Sequence, residues 1–226
     1  MSNDSPLFAR QFARGGAGGG APRLVVATRN PGKVREIREI LAPLAGWDVV
    51  GLDHLGIPES PDEDALEEFD TFEENALAKA RWFAAKTGVP ALADDSGLCV
   101  DALGGAPSVR SRRFAPVDEA RGERQDQANN RHLLALLEDV PEEARTARYV
   151  CAAAVAWPDG RELVRTGTCE GTILREPRGD GGFGYDPLFY VEDENASFGE
   201  LLPERKNALS HRGRAVRAVA AALAQG

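Results

Sequence analysis

Cysteine and histidine are both scarce, three of each in 226 residues, and that scarcity removes whole classes of chemistry. Cys99, Cys151 and Cys169 show no Cys-x-x-Cys spacing and sit in apolar or strand-like surroundings. They read as buried free thiols of a reducing cytoplasm. His54, His132 and His211 are too scattered to complete a zinc site with them. Long apolar runs are missing too: the longest, Val150 to Trp157, reads as a buried strand, so no membrane span is expected. Positive charge is in deficit, with 27 Lys and Arg against 36 Asp and Glu and a formal charge of −9. A general nucleic-acid binder needs a basic surface to release counterions, and this balance disfavours one. The one dense basic knot is Arg110, Arg112 and Arg113, which suits a local phosphate contact or a subunit contact. Long internal repeats and the Walker spacing are also absent.

What is present is an ordinary globular composition, 42% hydrophobic, with length enough for one substantial core. The first residues mix small and polar character with Gly15-Gly16-Ala17-Gly18-Gly19-Gly20 and lack the apolar centre of a signal peptide. Residues 1–22 therefore read as a flexible tail and 23–226 as a single domain. A strand over Leu24–Ala27 leads into a helix with Val34, Ile37, Ile40, Leu41 and Leu44 on one face, and Trp47–Leu52 reads as a second strand. Pro58 to Asp70 is an acidic loop. Thr71 then opens a helix through a capping box with Glu74, its apolar face running from Phe72 to Ala84 and ending at Gly88. A turn at Gly104-Gly105-Ala106-Pro107, a helix over Asn129–Glu138, and a hairpin of Arg148–Trp157 with Glu162–Cys169 follow. Strands and helices mix without strict alternation, which predicts an α/β fold with a mixed central sheet flanked by helices.

Four segments carry chemistry. Asp94-Asp95-Ser96-Gly97 follows the apolar run Val89–Ala93, placing two adjacent carboxylates where a short buried strand would meet the surface. Such a pair needs a cation or proton nearby, and a divalent metal with an oxygen-rich substrate supplies one. Taken alone it also fits one Asp capping a turn and the other solvated. Thr28-Arg29-Asn30-Pro31-Gly32-Lys33 turns a strand into a helix whose N-terminus can meet an anion, though an ordinary strand-turn-helix reads the same way. Gly179 to Pro187 is rich in glycine, with Phe183 and Tyr185 as flat faces for a base, or as aromatics folded into the core. Lys206 to Arg214 is cationic, ahead of a helical pattern with Val216, Val219, Ala220 and Leu223.

With Thr71–Ala76 and Leu103–Pro107, and with Ser210-His211-Arg212-Gly213 as the motif inside the cationic stretch, these segments make six ordered motifs. Together they resemble the inosine/xanthosine triphosphate pyrophosphatase family, from Leu24 to the C-terminus. The resemblance implies hydrolysis of non-canonical purine nucleoside triphosphates (ITP, dITP, XTP) to monophosphate and pyrophosphate. It implies an elongated, two-lobed fold with the active site in the groove between lobes, a homodimer, and one Mg2+ per subunit. Asp95 matches the general base and a metal ligand, with Asp94 as support and Glu67 as the second ligand, Glu59 being the other choice. Thr28, Arg29, Asn30, Pro31, Gly32 and Lys33, with Lys206, match residues that hold the phosphate chain, and Ser96 matches a substrate contact. Phe183, Gly184, Tyr185, Asp186, His211 and Arg212 match those that hold base and sugar. The chain departs from the family's commoner form at Ser108, Arg110 and Arg112, where a Gly, an aromatic and a small residue are usual. Septum-associated nucleotide pyrophosphatases share the fold, but Ser210-His211-Arg212 argues against them. A nucleotide sensor that has lost catalysis, or a plain interaction module, is the reading from another class; a binding-only site would gain nothing from two carboxylates facing a polyanion without a metal.

Overall fold

The computed structural model describes residues 21–116 and 124–225. Residues 1–20 of the expected tail lie outside them. The elements are β1 (Arg23–Val26), α1 (Pro31–Leu41), β2 (Asp48–Gly51), α2 (Phe72–Thr87), β3 (Ala91–Val100), α3 (Gln125–Leu136), β4 (Thr146–Ala156), β5 (Glu162–Ile173), β6 (Phe189–Val191), β7 (Ala196–Ser197), α4 (Pro203–Leu209) and α5 (His211–Leu223). Among the described residues the strands form one seven-stranded sheet in the order β2-β1-β3-β4-β5-β6-β7. β1 lies parallel to β2, with Leu24 opposite Val49, and parallel to β3, with Val25 opposite Ala91. β6 is antiparallel to β5 and β7, so the sheet is mixed, as expected of the α/β reading.

The chain divides into two compact units. Of the described residues, the first takes those within Met1–Asp95, Ala152–Thr166 and Arg212–Gly226, and the second those within Ser96–Cys151 and Gly167–His211. In the first, Leu24, Val25 and Val26 are fully buried, as a continuous apolar run in a parallel sheet should be. Ile37 and Leu41 of α1, Ala76, Ala80 and Phe83 of α2, and Val216 and Val219 of α5 complete its core. In the second, Leu98, Leu133, Tyr149, Phe189 and Phe198 anchor a separate apolar cluster.

Several boundaries differ from the expectation. Asp94 and Asp95 do not close a short strand; β3 continues through them for ten residues, because each carboxylate has a cation that makes its burial tolerable. α3 begins at Gln125, ahead of its first leucine, since polar residues can form an exposed first turn without leaving an apolar period. The acidic loop contains a 3-10 helix over Pro61–Glu67, and the reciprocal capping box sits there, between Ser60 and Glu63. At α2 the Thr71 hydroxyl accepts from the Glu74 N–H, but the Glu74 carboxylate answers to that hydroxyl at 2.7 Å. α2 does stop at Gly88, whose φ of 70° is the left-handed conformation that glycine takes without a Cβ clash.

Candidate active site

In the first unit the site is built on β3. Successive side chains of a strand leave by opposite faces, so the adjacent Asp94 and Asp95 meet different neighbours. Asp94 is fully buried, with Lys33 Nζ 3.1 Å and Arg212 Nε 3.0 Å from its Oδ2. Burial alone would push this carboxyl up, but Lys33, Arg212 and Lys79 together hold it well below the usual carboxylate range. Arg212 also donates to Glu36 through Nη1. Two groups expected to face substrate, Lys33 and Arg212, therefore have contacts with carboxylates of their own unit.

Asp95 receives a hydrogen bond from Asn75 Nδ2 at 2.9 Å, and Lys79 Nζ lies 3.9 Å from its Oδ1. Lys79 also donates to Glu67 Oε1 at 2.8 Å and to the Asp94 carbonyl. Burial opposes the charge on Lys79, and Glu67, Asp95 and Asp94 more than offset that effect. Asp95 behaves oppositely to Asp94: desolvation raises its carboxyl above the ordinary value despite Lys79, Lys33 and Asn75. A carboxylate so placed is a stronger proton acceptor than a solvated one. The sequence gives Asn75 no role of its own within the Thr71–Ala76 motif, and Lys79 lies outside every motif. The signal was a polar pair four residues apart on the otherwise apolar face of α2, one turn of helix that buries both.

The turn before α1 is closed by its own side chain. Asn30 Oδ1 accepts from the N–H groups of Gly32 at 2.9 Å and Lys33 at 3.2 Å, and Pro31 has no N–H to offer. The turn thus presents the positive end of the helix dipole with the Thr28 and Asn30 side chains, while the Lys33 ammonium is engaged with Asp94. Arg29 turns toward the acidic segment and pairs with Glu63 at 2.7 Å. Glu63, with Glu59 adding a smaller share, strengthens its hold on its proton.

In the second unit, Asp186 organises the glycine-rich loop. Its Oδ2 accepts from the Phe183 N–H and from Lys206 Nζ, both at 2.7 Å. A Cβ at Gly182, where φ is 73°, would overlap that carboxylate, so the loop requires glycine there. Lys206 Nζ also stands 4.7 Å from the Phe183 ring centroid, which places Lys206 with the expected base-holding residues. Tyr185 is buried, and its hydroxyl donates to the Ser111 carbonyl at 2.8 Å. Burial raises its phenol further above neutrality, so it remains a donor. His211 stacks on Tyr149 with centroids 4.5 Å apart. Gly184 accepts from Asn130 at 3.0 Å through its carbonyl, and Ser96 is half-buried on β3.

Among the described residues, no group of three or more His, Cys, Asp or Glu side chains is arranged to hold a metal ion. Asp95 and Glu67, brought to one ammonium, still form a hard-oxygen donor set. It fits magnesium, which binds through one or two carboxylates and completes its shell with water and substrate phosphate.

The chain matches the model of the Ham1 family over residues 24–222. A dITP/XTP pyrophosphatase of Desulforamulus reducens is 51% identical over 197 residues, covering 86% of this chain and 92% of that protein. One of Symbiobacterium thermophilum is 52% identical over 194 residues, covering 86% and 91%. Among solved structures, a HAM1 protein from Coxiella burnetii superposes with a TM-score of 0.77 at 37% identity, covering 91% of this chain and all of that one, 100%. A nucleoside-triphosphatase / dITP/XTP pyrophosphatase from Mycobacterium abscessus gives a TM-score of 0.64 at 42% identity, covering 89% and 98%.

Proposed function

Because the chain belongs to the Ham1 family, we propose that it is a nucleoside triphosphate pyrophosphatase that hydrolyses dITP and XTP, and ITP with them, to the monophosphate and pyrophosphate. The observation that carries the mechanism is the setting of Asp95: a buried carboxylate oriented by Asn75 and set beside Lys79, which also holds Glu67. Asp95 takes the proton of the attacking water as the new bond forms to the α-phosphorus, and pyrophosphate departs with the electrons of the broken anhydride bond. Lys79 and Lys33 offset the negative charge that gathers on the phosphoryl oxygens. Bound to Asp95 and Glu67, magnesium would add Lewis-acid stabilisation of the same oxygens. Phe183 offers a ring face to the purine, and Lys206 beside it is a donor matched to the carbonyl that hypoxanthine and xanthine carry at position 6. Adenine presents an amino donor there and leaves that ammonium facing a like partner.

One magnesium ion per subunit and a homodimer complete the proposal, and the three free cysteines suit a cytoplasmic setting. No helix among the described residues is long and apolar enough to cross a membrane. Pyrophosphate release is measured from ITP, dITP, XTP and ATP with Mg2+ and with EDTA. The expected result is a strong preference for the first three, approaching the roughly 10⁴-fold that polar matching can give, and loss of turnover in EDTA. Equal kcat/KM for ATP and XTP would overturn the substrate assignment, and full activity in EDTA the metal.

A further inference from the structure

Arg29 stands in the turn expected to hold phosphate, yet its guanidinium is turned onto the acidic segment. Nε reaches Glu63 Oε2 at 2.9 Å and Nη2 reaches Oε1 at 2.7 Å, a two-pronged pair. Nη1 donates to the Ile57 carbonyl at 2.8 Å and Nη2 also to that of Pro58 at 2.9 Å. The guanidinium carbon lies 5.8 Å from the centroid of the Phe83 ring on α2. Glu63 in turn accepts the Ser60 N–H at 3.1 Å and so fixes the start of the 3-10 helix that ends at Glu67. The pair is partly withdrawn from water, with side chains 29% and 13% exposed, and a fork meeting a carboxylate is the strong form of ion pair.

We infer that Arg29 is a positioning residue: it locks the segment from Ile57 to Glu67 onto the turn before α1, so that Glu67 is already placed for a divalent ion before substrate arrives. The inference rests on the metal-dependent reading above. A segment ordered in advance does not spend binding free energy on its own ordering when the ion arrives. Lysine could not replace Arg29, because a point charge cannot serve Glu63 and two carbonyls at once.

The test compares Arg29→Lys, Arg29→Ala, Glu63→Gln and the Arg29→Ala/Glu63→Gln double variant with the wild type. Mn2+ binding is titrated by electron paramagnetic resonance without nucleotide, and amide exchange is followed over residues 57–67. Steady-state kinetics with XTP are recorded across a range of Mg2+ concentrations. Each single variant is expected to bind the ion about tenfold more weakly, the scale of one lost charge-assisted contact. Exchange over 57–67 should quicken while β3 is unaffected, kcat at saturating Mg2+ should stay within a few-fold, and the double variant should be no worse than Arg29→Ala. Unchanged ion affinity in Arg29→Ala with a raised KM would overturn the inference and make Arg29 a direct phosphate ligand. So would unchanged exchange over 57–67. A wild type that binds no Mn2+ and works in EDTA would overturn the metal-dependent reading as well, whereas intact metal dependence with unaltered variants overturns this inference alone.

Discussion

Arg212 in the first unit and Arg145 in the second are buried alike, 2% and 1% exposed, but their guanidiniums are satisfied by different partners. Arg212 meets the carboxylates of Asp94 and Glu36. Arg145 donates to the carbonyls of Ile173, Leu137 and Leu174 at 2.7, 2.6 and 3.0 Å. A guanidinium held by carbonyls is a strut, closing a helix end and a strand end with fixed dipoles. One held by carboxylates belongs to a network whose balance shifts when a polyanion or a cation enters it. The same contrast runs through the two sets of candidate residues: the first unit buries compensated charge around Asp94 and Asp95, while the second packs buried rings and a largely exposed glycine loop about the buried pair of Lys206 with Asp186.

The sharpest way to break this contrast is Asp95→Asn. It should lower kcat by roughly 10²–10⁴-fold, the worth of a general base, with the fold intact. Its effect on stability runs the other way. The folded-state pKa of Asp95 lies above its unfolded value, so the ionised group lowers stability at pH above that folded pKa, and the penalty is gone below about pH 4. The variant should therefore melt higher than the wild type at neutral pH, with the gain vanishing in acid. A lower melting temperature at pH 7.5 would show that Asp95 is held for stability.

Asp94→Asn should do the reverse, removing the partner that Arg212 and Lys33 share. Breaking a buried pair from one side costs about 3–5 kcal/mol, read as a lower urea midpoint with an unchanged slope. A change near zero would mean that Glu36 alone satisfies Arg212. In the second unit, Phe183→Leu should raise KM for every purine substrate a few-fold to about tenfold, for about 0.5–1.5 kcal/mol of ring contact. The Mg2+ dependence should not move; if it did, the division of labour between the two sets would be wrong. The smallest effect is expected at Ser108, where φ is 53°, a left-handed conformation that disfavours a side chain. Ser108→Gly should add less than about 1 kcal/mol, offset in part by loss of the hydroxyl contact to Cys99.

What could be read from the sequence divides along physical lines. Periodicity and punctuation located β1, α2 with its stop at Gly88, and the turn at Gly104-Gly105, because apolar spacing and left-handed glycine are local properties. The adjacent Asp94 and Asp95 stood out for the same reason. Their pairing is not local: the spacing of Asn75 and Lys79 marks a polar pair on α2, but that the pair meets Asp95, and that Glu36 joins Arg212 beside Asp94, is tertiary, as is the turning of the Arg29 fork onto Glu63. Strand β3 runs longer than its sequence suggests, because two adjacent carboxylates argue against burial unless their cations are known. β6 and β7 leave no pattern in the sequence, because strands of three and two residues are too short to show alternation.

In the proposed reaction water attacks the α-phosphorus and Asp95 takes its proton. Hydrolysis of XTP in 18O-labelled water, with the products separated and weighed by mass spectrometry, tests it most directly. The label is expected in the xanthosine monophosphate and not in the pyrophosphate. Label in pyrophosphate, or orthophosphate as the released product, would contradict it.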